Sequence, residues 1–472
     1  MAELKFYRTS TSHKVLMIAD MTMLAFIYLL TNLSFENSIA VAPAPVIETF
    51  LMIGMVLIIF FKISIFAVGL YNIKLRESQS GIFYRLFFST ILSYILSILF
   101  FNATGLLVSD ALFVEVFHVY AFIGLVFVRY IAKLINYEQL GQKKVLVIGA
   151  GERASIIEKT MRRRADRNGF DLVGFVHIRG DKSLFIDKRK IIHHTTTMNE
   201  IEELIDSLVS SGRADEIVIA ADERRENIPV ECLFKCKIYG IEVIDIVNFI
   251  ERETGQIAVS LVHPSWFLNE RTAPMTYPHR VFDRAVNVLL ATLVVLLTWP
   301  LMLLAVVLIK IEDGLHSPVL YSQKRVGYNG LLFDIYKFRS MTEDAEAQGA
   351  KWASKEDPRV TRVGKFLRKY RIDELPQLWN VLRGDMCFVG PRPERPQFCD
   401  SLEKDIPYYR RRLLVKPGLT GWAQLKYPYG SSVKDAREKL QYDLFYIKHR
   451  SFLLDVAILV RTSEIILFGR GQ

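Results

Sequence analysis

Cysteine is scarce in this 472-residue chain: Cys232, Cys236, Cys387 and Cys399 are the whole supply. None pairs at Cys-x-x-Cys spacing, which excludes both an extracellular disulfide framework and a structural zinc ribbon and leaves four reduced thiols. Acidic residues are also short, 50 Asp and Glu against 60 Lys and Arg, giving a formal charge of +10 and a pI near 9.2. Such a balance suits nucleic acid, anionic headgroups or phosphorylated small molecules. Hydrophobic residues make up 51%, high for a soluble chain, so a membrane face and small phosphates are favoured over nucleic acid. The length predicts two or three domains.

Four stretches approach the length that crosses about 30 Å of hydrocarbon: roughly Val15 to Leu33, Phe50 to Leu70, Ile82 to Leu107 and Ala111 to Ile131. Lys5, Arg8 and Lys14 precede the first, Lys74, Arg76 and Arg85 separate the second from the third, and Lys133, Lys143 and Lys144 follow the fourth. Glu36, Glu48, Asp110 and Glu115 lie at the opposite turns. The positive-inside rule therefore predicts a four-helix transmembrane domain over 1–135 with both ends in the cytoplasm. A signal peptide cut near Ala40-Val41-Ala42 is the competing reading of the first span, whose apolar run is long for one. Asp20, Lys62, His118 and Arg129 fall in or near these spans; snorkelling accounts for Lys62 and Arg129, and Asp20 is the candidate functional group.

A fifth apolar run, Val286 to Ile309, carries Trp299-Pro300 at its middle. His279, Arg280 and Arg284 precede it and Lys310, Lys324 and Arg325 follow it, so both flanks read as cytoplasmic. That charge pattern predicts a re-entrant membrane helix over 281–309 that breaks at Pro300 and returns to the same face. A spanning helix is the alternative.

Between the membrane segments, Lys144-Val145-Leu146-Val147-Ile148-Gly149-Ala150-Gly151-Glu152-Arg153-Ala154 reads as a buried strand, a glycine turn and a helix start. With further strands at Asp171 to His177, Glu216 to Ala220 and Ile241 to Ile246, it predicts an α/β Rossmann-like domain over 143–262. Gly149, Gly151 and Ala154 are its candidate cofactor-binding positions. The acidic ribose ligand is missing, since Asp171 begins its strand and Arg179 follows the far end, so a regulatory or packing domain competes with nucleotide binding.

The C-terminal region is dense in basic and aromatic motifs: Gln323-Lys324-Arg325-Val326-Gly327, Tyr336-Lys337-Phe338-Arg339-Ser340-Met341, Arg368 through Asp373-Glu374-Leu375-Pro376, Gly384-Asp385-Met386, Val389-Gly390-Pro391-Arg392-Pro393, and Lys416-Pro417-Gly418-Leu419-Thr420-Gly421. On its own residues, Asp373-Glu374 reads first as a helix cap and first turn, with Leu375, Leu378, Trp379 and Leu382 as core. Were Asp373 the cap, Pro376 would remove the N–H such a cap often seeks, freeing the carboxylate for metal or substrate. The apolar tail from Ser451 to Phe468, interrupted by Asp455, Arg461 and Glu464, predicts a packing or interfacial helix.

In this order behind a membrane helix, these motifs resemble the bacterial sugar transferase family of monotopic phosphoglycosyl transferases, and the whole layout resembles its long form, similar to the undecaprenyl-phosphate glucose or galactose phosphotransferases of exopolysaccharide and capsule synthesis. The resemblance implies a catalytic domain over 279–472 that moves hexose 1-phosphate from a UDP-hexose to undecaprenyl phosphate at the bacterial inner membrane, releasing UMP. It implies Asp373 as nucleophile forming an aspartyl phosphosugar, Glu374 as a positioning or Mg²⁺-associated carboxylate, and a homodimer. Arg368, Lys337 and Arg392 are assigned to the phosphates by both chemistry and family position. Arg339 and Arg371 are alternatives. The expected fold is thus a membrane α-helical bundle, an α/β Rossmann-like domain, and a monotopic α-rich domain with a re-entrant helix. Two other functions stay in view: a non-catalytic scaffold that binds polyprenyl phosphate, and a membrane-tethered NAD-dependent nucleotide-sugar epimerase. The second lacks a Tyr-x-x-x-Lys in a convincing position after the glycine motif.

Overall fold

In the computed structural model the chain divides into two compact units, Met1–Gly255 and Gln256–Gln472. The structure describes residues 11–467 apart from segments 36–43, 72–78, 105–110, 136–141, 162–166, 224–226, 265–276 and 346–356 and the short stretches 168, 182, 196, 263, 343–344, 428–429 and 431. Several sequence features, including the Ala40–Ala42 cleavage candidate and the flanking Lys5, Arg8, Glu36, Lys74, Arg76 and Asp110, lie outside the described residues.

The first unit opens with α1 (Thr11–Phe35), α2 (Ala44–Ala67), α3 (Gln79–Thr104) and α4 (Ala111–Leu134). Stretches of α1, α3 and α4 are long and apolar enough to cross a membrane, with a shorter apolar stretch, Leu51–Ala67, in α2. Leu24, Leu57, Phe61, Ile65, Phe117 and Leu125 are buried at the bundle centre, while Phe26, Leu29, Ile59, Leu99, Ile123 and Phe127 face outward. Apolar side chains on both the inside and the outside suit a hydrocarbon solvent. Buried Thr31 and Ser97 are satisfied within their own helices, Thr31 donating to the Ile27 carbonyl and Ser97 to the Ser93 carbonyl, whereas the buried Ser64 hydroxyl has no partner among the described residues.

Arg129 does not snorkel. Its guanidinium donates to both carboxylate oxygens of Asp20, at 2.7 Å each, and the Tyr71 hydroxyl donates to the same carboxylate. Packing inside the bundle makes a buried partner available where a lone helix would have offered only lipid. His118 is also satisfied, with Nδ1 2.7 Å from the Val114 carbonyl and Nε2 3.2 Å from the Ser93 hydroxyl.

The sheet that follows comprises β1 (Lys143–Ile148), β2 (Phe170–His177), β3 (Ile191–His194), β4 (Glu216–Ile219) and β5 (Glu242–Asp245), all parallel, in the order β3-β2-β1-β4-β5. Helices α5 (Glu152–Thr160), α6 (Met198–Ser210), α7 (Val230–Ile238) and α8 (Ile246–Thr254) complete the α/β layer. β1 is apolar because both faces are covered, and Val145 through Ile148 are fully buried. The edge strand β3 is absent from the sequence reading. It spans four residues, Ile192 through His194 are exposed, and so neither alternation nor an apolar run marks it. The four cysteines are free and buried, and burial pushes the Cys232 thiol up to about 12 and those of Cys387 and Cys399 to about 11.

The second unit is built on α9 (Tyr277–Asp313), whose 37 residues run through Pro300 without leaving helical conformation. The expected break is therefore not seen; the Thr298 hydroxyl donates to the Val294 carbonyl one turn below the proline. Leu289, Leu296, Leu297, Trp299 and Leu303 are exposed, whereas Ala291, Ala305 and Ile309 are buried. Both ends of α9 are gripped by the same folded unit. Near the start, Arg284 donates to the carbonyls of Val381 and Leu382, and Asn287 accepts from the Phe388 N–H at 2.8 Å. Near the end, Glu312 accepts from the N–H groups of Arg362 (2.8 Å) and Val363 (2.9 Å).

Around α9 fold the antiparallel pair β6 (Leu320–Val326) and β7 (Leu332–Phe338), helix α10 (Arg362–Lys369), a 3-10 turn Ile372–Gln377, α11 (Leu378–Arg383), and the short parallel pair β8 (Cys387–Val389) and β9 (Gly418–Thr420). Helix α12 (Pro396–Asp405) lies between those strands in sequence, and α13 (Trp422–Lys426), α14 (Val433–His449) and α15 (Phe452–Leu467) close the domain. The tail helix α15 packs as expected: Leu454 and Ile458 are buried, Tyr446 donates to Asp455, and the Thr462 and Thr420 hydroxyls lie 2.7 Å apart. Trp379, expected in the core, is 57% exposed. Because i and i+3 eclipse in a 3-10 turn, Leu378 falls over Leu375 and the next residue swings about 100° away.

The buried Asp20–Arg129 pair generates a test. Asp20→Ala strands a guanidinium inside the bundle and should cost about 3 kcal/mol, whereas Asp20→Leu combined with Arg129→Met should recover most of it. Thermal unfolding of detergent-solubilised protein measures this; a single variant as stable as the parent would show that the pair does not hold the bundle.

Candidate active site

Arg371 occupies the left-handed region, at φ 55° and ψ 25°. For a residue with a side chain that costs about 1 kcal/mol. This backbone step turns the chain out of α10 and into the 3-10 turn, so Arg371, not Asp373, is the cap, and Asp373 and Glu374 both project from the first turn. The turn rests on the membrane helix: Ile372 and Leu367 are buried with Ala305, Ile309 and Phe338 in one cluster.

The two carboxylates differ sharply in company. Glu374 Oε1 accepts from Lys337 Nζ at 3.0 Å and from Arg392 Nη2 at 2.9 Å, and its Oε2 faces Arg371 Nη1 at 3.4 Å. Asp373 is 7% exposed, and no described residue donates to it or pairs with it. Burial pushes the Asp373 carboxyl above the usual range; Lys337, Arg368 and Arg392 pull it back, and the charge on Glu374 pushes it up again. For Glu374 the balance reverses. Burial alone would raise it, but Lys337, Arg392 and Arg371 hold it well below the ordinary value. Counting Lys337, Arg368, Arg371 and Arg392 against the two carboxylates leaves a surplus of two positive charges, so the site favours an anion.

The sequence-predicted residues Lys337, Asp373, Glu374 and Arg392 thus converge, with Arg368 acting on Asp373 through its charge. Arg371 joins them at the rim of Glu374. Pro300 lies within α9, and Gly149, Gly151 and Ala154 belong to the other unit.

Asn380, Arg412 and Asp443, buried groups that sequence reasoning missed, hold the converging side chains in place together with Arg325 of the basic motif on β6. Asn380, fully buried on α11, accepts from the Tyr336 N–H at 3.2 Å and donates to the Asp334 carbonyl at 2.7 Å, fixing β7 one residue from Lys337. Arg412 donates to the Arg392 carbonyl at 3.0 Å while its guanidinium meets Asp443 at 2.9 Å. Asp443 is pushed up to about 6 by burial, even with Arg412 beside it. From the other side Arg325 Nη1 donates to the Pro393 carbonyl at 3.3 Å, and the Val326 N–H donates to the Glu394 carbonyl at 2.9 Å. Below the loop, Gly390 and Gly418 meet backbone to backbone; a Cβ on Gly418 would lie 2.1 Å from the Gly390 nitrogen. A polar Asn among Leu378 and Val381 was the one available sequence signal. Arg412 was hidden in an Arg410-Arg411-Arg412 run that reads as solvated surface.

Fold and site together define a membrane-attached domain with a cation-walled carboxylate pair suited to phosphate esters. Residues 278–469 match the bacterial sugar transferase family, and residues 66–228 match a family described as a CoA-binding domain. A putative undecaprenyl-phosphate N-acetylgalactosaminyl 1-phosphate transferase of Bacillus subtilis is 45% identical over 158 residues, 34% of this chain and 84% of its own length. A UDP-N-acetylgalactosamine-undecaprenyl-phosphate N-acetylgalactosaminephosphotransferase of Aeromonas hydrophila is 39% identical over 290 residues, 61% of this chain and 66% of its own. An undecaprenyl-phosphate galactose phosphotransferase of Salmonella typhimurium is 28% identical over 374 residues, 75% and 74% of the two chains. The chain belongs to the bacterial sugar transferase family, in its long form with an N-terminal helical region and a parallel-sheet domain.

The unequal carboxylates make opposite predictions for stability. Asp373 binds its proton more tightly folded than unfolded, so its ionisation at neutral pH opposes folding, and that penalty vanishes as pH falls to the unfolded carboxylate range. Asp373→Asn should therefore match or exceed the parent melting temperature at neutral pH. Glu374 binds its proton less tightly folded, so its contribution is full at neutral pH and is lost as pH falls through its depressed value. Glu374→Gln should cost about 2 kcal/mol by leaving Lys337, Arg392 and Arg371 without their charged partner. Melting curves at several pH values decide; equal losses for both variants would contradict the assignment.

Proposed function

We propose that this protein transfers a hexose 1-phosphate from a UDP-hexose to undecaprenyl phosphate at the cytoplasmic face of the inner membrane, starting a polysaccharide repeat unit. The observation that carries the reading is the bare, buried Asp373 carboxylate beside a Glu374 that has gathered the cations. A nucleophile must keep a lone pair unengaged, and a neighbouring carboxylate that holds Lys337 and Arg392 keeps positive charge within reach of an incoming diphosphate.

In the first step an Asp373 oxygen attacks the phosphorus that bears the sugar. A new O–P bond forms as the bond from that phosphorus to the bridging diphosphate oxygen breaks, and UMP leaves with the electron pair. In the second, an oxygen of undecaprenyl phosphate attacks the same phosphorus, the aspartyl O–P bond breaks, and the carboxylate is restored. Neither step needs a general base when the Asp373 carboxylate and the acceptor phosphate react as anions. Lys337, Arg368 and Arg392 would neutralise the phosphate oxygens, the arginines by their forked donors. Magnesium, the expected cofactor, would add further charge neutralisation when bound. Asp373 offers unengaged hard oxygens that fit such an ion, whereas Glu374, surrounded by three cations, does not in this conformation. The relatives' names, each an undecaprenyl-phosphate sugar-phosphate transferase, support the same acceptor and reaction class.

The re-entrant course of α9 belongs to this reading. Its 37 helical residues would extend about 56 Å if straight, and a helix that crossed the bilayer would carry its two ends to opposite faces. Arg284, Asn287 and Glu312 tie both ends to one domain, which favours both ends lying at the cytoplasmic face; since α9 stays helical through Pro300, that course needs a bend carried within the helix, as proline permits.

Purified protein given Mg²⁺, a UDP-hexose and undecaprenyl phosphate should release UMP, and omission of any one should stop sustained release. Asp373→Asn should lower kcat by roughly a thousandfold or more; turnover within about tenfold of the parent would remove Asp373 as nucleophile. Donor labelled in the sugar should leave a phosphosugar on Asp373 when the acceptor is withheld. For topology, Leu315, 80% exposed just past α9, serves as a reporter. Leu315→Cys should react with an impermeant maleimide only after cells are opened, and reaction in intact spheroplasts would refute the re-entrant course.

A further inference from the structure

The glycine turn of the α/β domain sits where folds of this strand order hold a nucleotide diphosphate. The strand order reverses beside β1, and the N-terminus of α5 opens at the carboxyl ends of β1 and β4. The matched domain family is described as CoA-binding, and this turn is the seat such a diphosphate would take by strand order. The residues present do not fit it.

Two of the chain's own carboxylates occupy the anion seat. Asp222, just past β4, accepts from the Glu152 N–H at 3.0 Å and from the Arg153 N–H at 2.9 Å, one on each oxygen, spanning the first turn of α5. Asp181, beyond β2, accepts from the Ala150 N–H at 2.8 Å and the Ile178 N–H at 3.2 Å. The donors a pyrophosphate would use are thus already engaged.

Each position of the fingerprint has an internal occupant. A Cβ on Gly151 would lie 2.1 Å from Asp222 Oδ2, so the missing side chain makes room for that carboxylate. Gly149 has φ +119°, and a Cβ there would stand 2.6 Å from the Ala220 carbonyl carbon, so this glycine serves the packing of β1 against β4. Ala154 is fully buried. The Ala150 carbonyl accepts from the Phe185 N–H at 3.1 Å, which lays the chain beyond β2 across the turn. At the end of β2, where a ribose ligand would stand, the His177 ring lies beside His194, with centroids 5.3 Å apart. The second Asp181 oxygen is buried without a partner, and burial already pushes that carboxyl up; an added diphosphate would bring like charge to the same spot.

We infer that this domain is a self-liganded nucleotide fold: Asp222 and Asp181 stand in for the diphosphate and tie the ends of β1, β2 and β4 to α5, so the domain takes neither coenzyme A nor a nicotinamide dinucleotide.

The test uses full-length protein in detergent, with hydrogen exchange read on peptides covering 148–155. Coenzyme A and NAD⁺ should leave that exchange unchanged in the parent up to about 1 mM. Asp222→Ala should speed exchange at Glu152 and Arg153 and lower the melting temperature by several degrees, roughly 3 °C. Inorganic phosphate should then restore protection at those two amides in the variant and not in the parent. Asp222→Asn, which keeps the shape and one acceptor oxygen, should lie between the two and covers the case in which the alanine variant fails to fold. Saturable protection of the glycine turn by either cofactor in the parent would overturn the inference. So would an Asp222→Asn protein whose α5 exchange and melting match the parent with no response to phosphate. UMP release is read in parallel and should be unaffected, which keeps this result separate from the proposed transferase activity.

Discussion

Glu374 is the group on which the catalytic domain's arrangement depends. A single carboxylate draws Lys337 from β7, Arg392 from the loop after β8 and Arg371 from its own turn onto one point. Those three cations would repel one another without it, and three elements distant in sequence would lose their common contact. The same gathering leaves Asp373 unbonded, because the nearest donors already have an acceptor. An unbonded buried carboxylate is costly, and the cost is tolerable only where surrounding charge compensates at a distance. Catalytic potential at Asp373 and structural order at Glu374 are therefore two consequences of one electrostatic arrangement.

Order around that point is imposed mainly by backbone. Arg412 and Arg325 hold the carbonyls of Arg392 and Pro393 from two sides, Asn380 holds the backbone of β7 beside Lys337, and the close meeting of Gly390 with Gly418 brings the loop down onto β9. A long flexible cation aimed from a fixed backbone loses less freedom on engaging a phosphate than one on a mobile loop. The buried Arg412–Asp443 pair acts within this support, with its stabilisation directed at the position of a neighbour's main chain.

What could be read in the sequence follows the strength of local signals. Continuous apolar runs announced the membrane helices and β1, and the density of charge and glycine announced the Asp373 region. β3 was missed because four largely exposed residues have no period to detect, and Trp379 was misplaced because a 3-10 turn rotates what an α-helical count would align. Pairings between distant segments were invisible. Arg129 reads as a snorkelling cation until the bundle brings Asp20 to it, and Arg412 reads as surface until Asp443 is packed beside it. The glycine turn misled in the opposite direction. Its pattern of small residues is required by chain packing and by Asp222, so the same letters serve a site and its internal substitute.

The coupling of membrane and chemistry is carried by a small apolar contact. Ile372, immediately before the carboxylate pair, and Leu367 of α10 are buried in one cluster with Ala305 and Ile309 of α9, so the turn that presents Asp373 is seated on that apolar helix. A polyprenyl phosphate keeps its headgroup at the interface while its tail stays in the leaflet, and under the proposed function an Asp373 seated on α9 would meet that headgroup at a constant depth. A site on a flexible tether would have to search for that depth on each turnover. Position relative to the bilayer is thus set by packing within the domain itself, and the exposed apolar face of α9, with Leu296, Leu297 and Trp299, is the surface that lipid must cover.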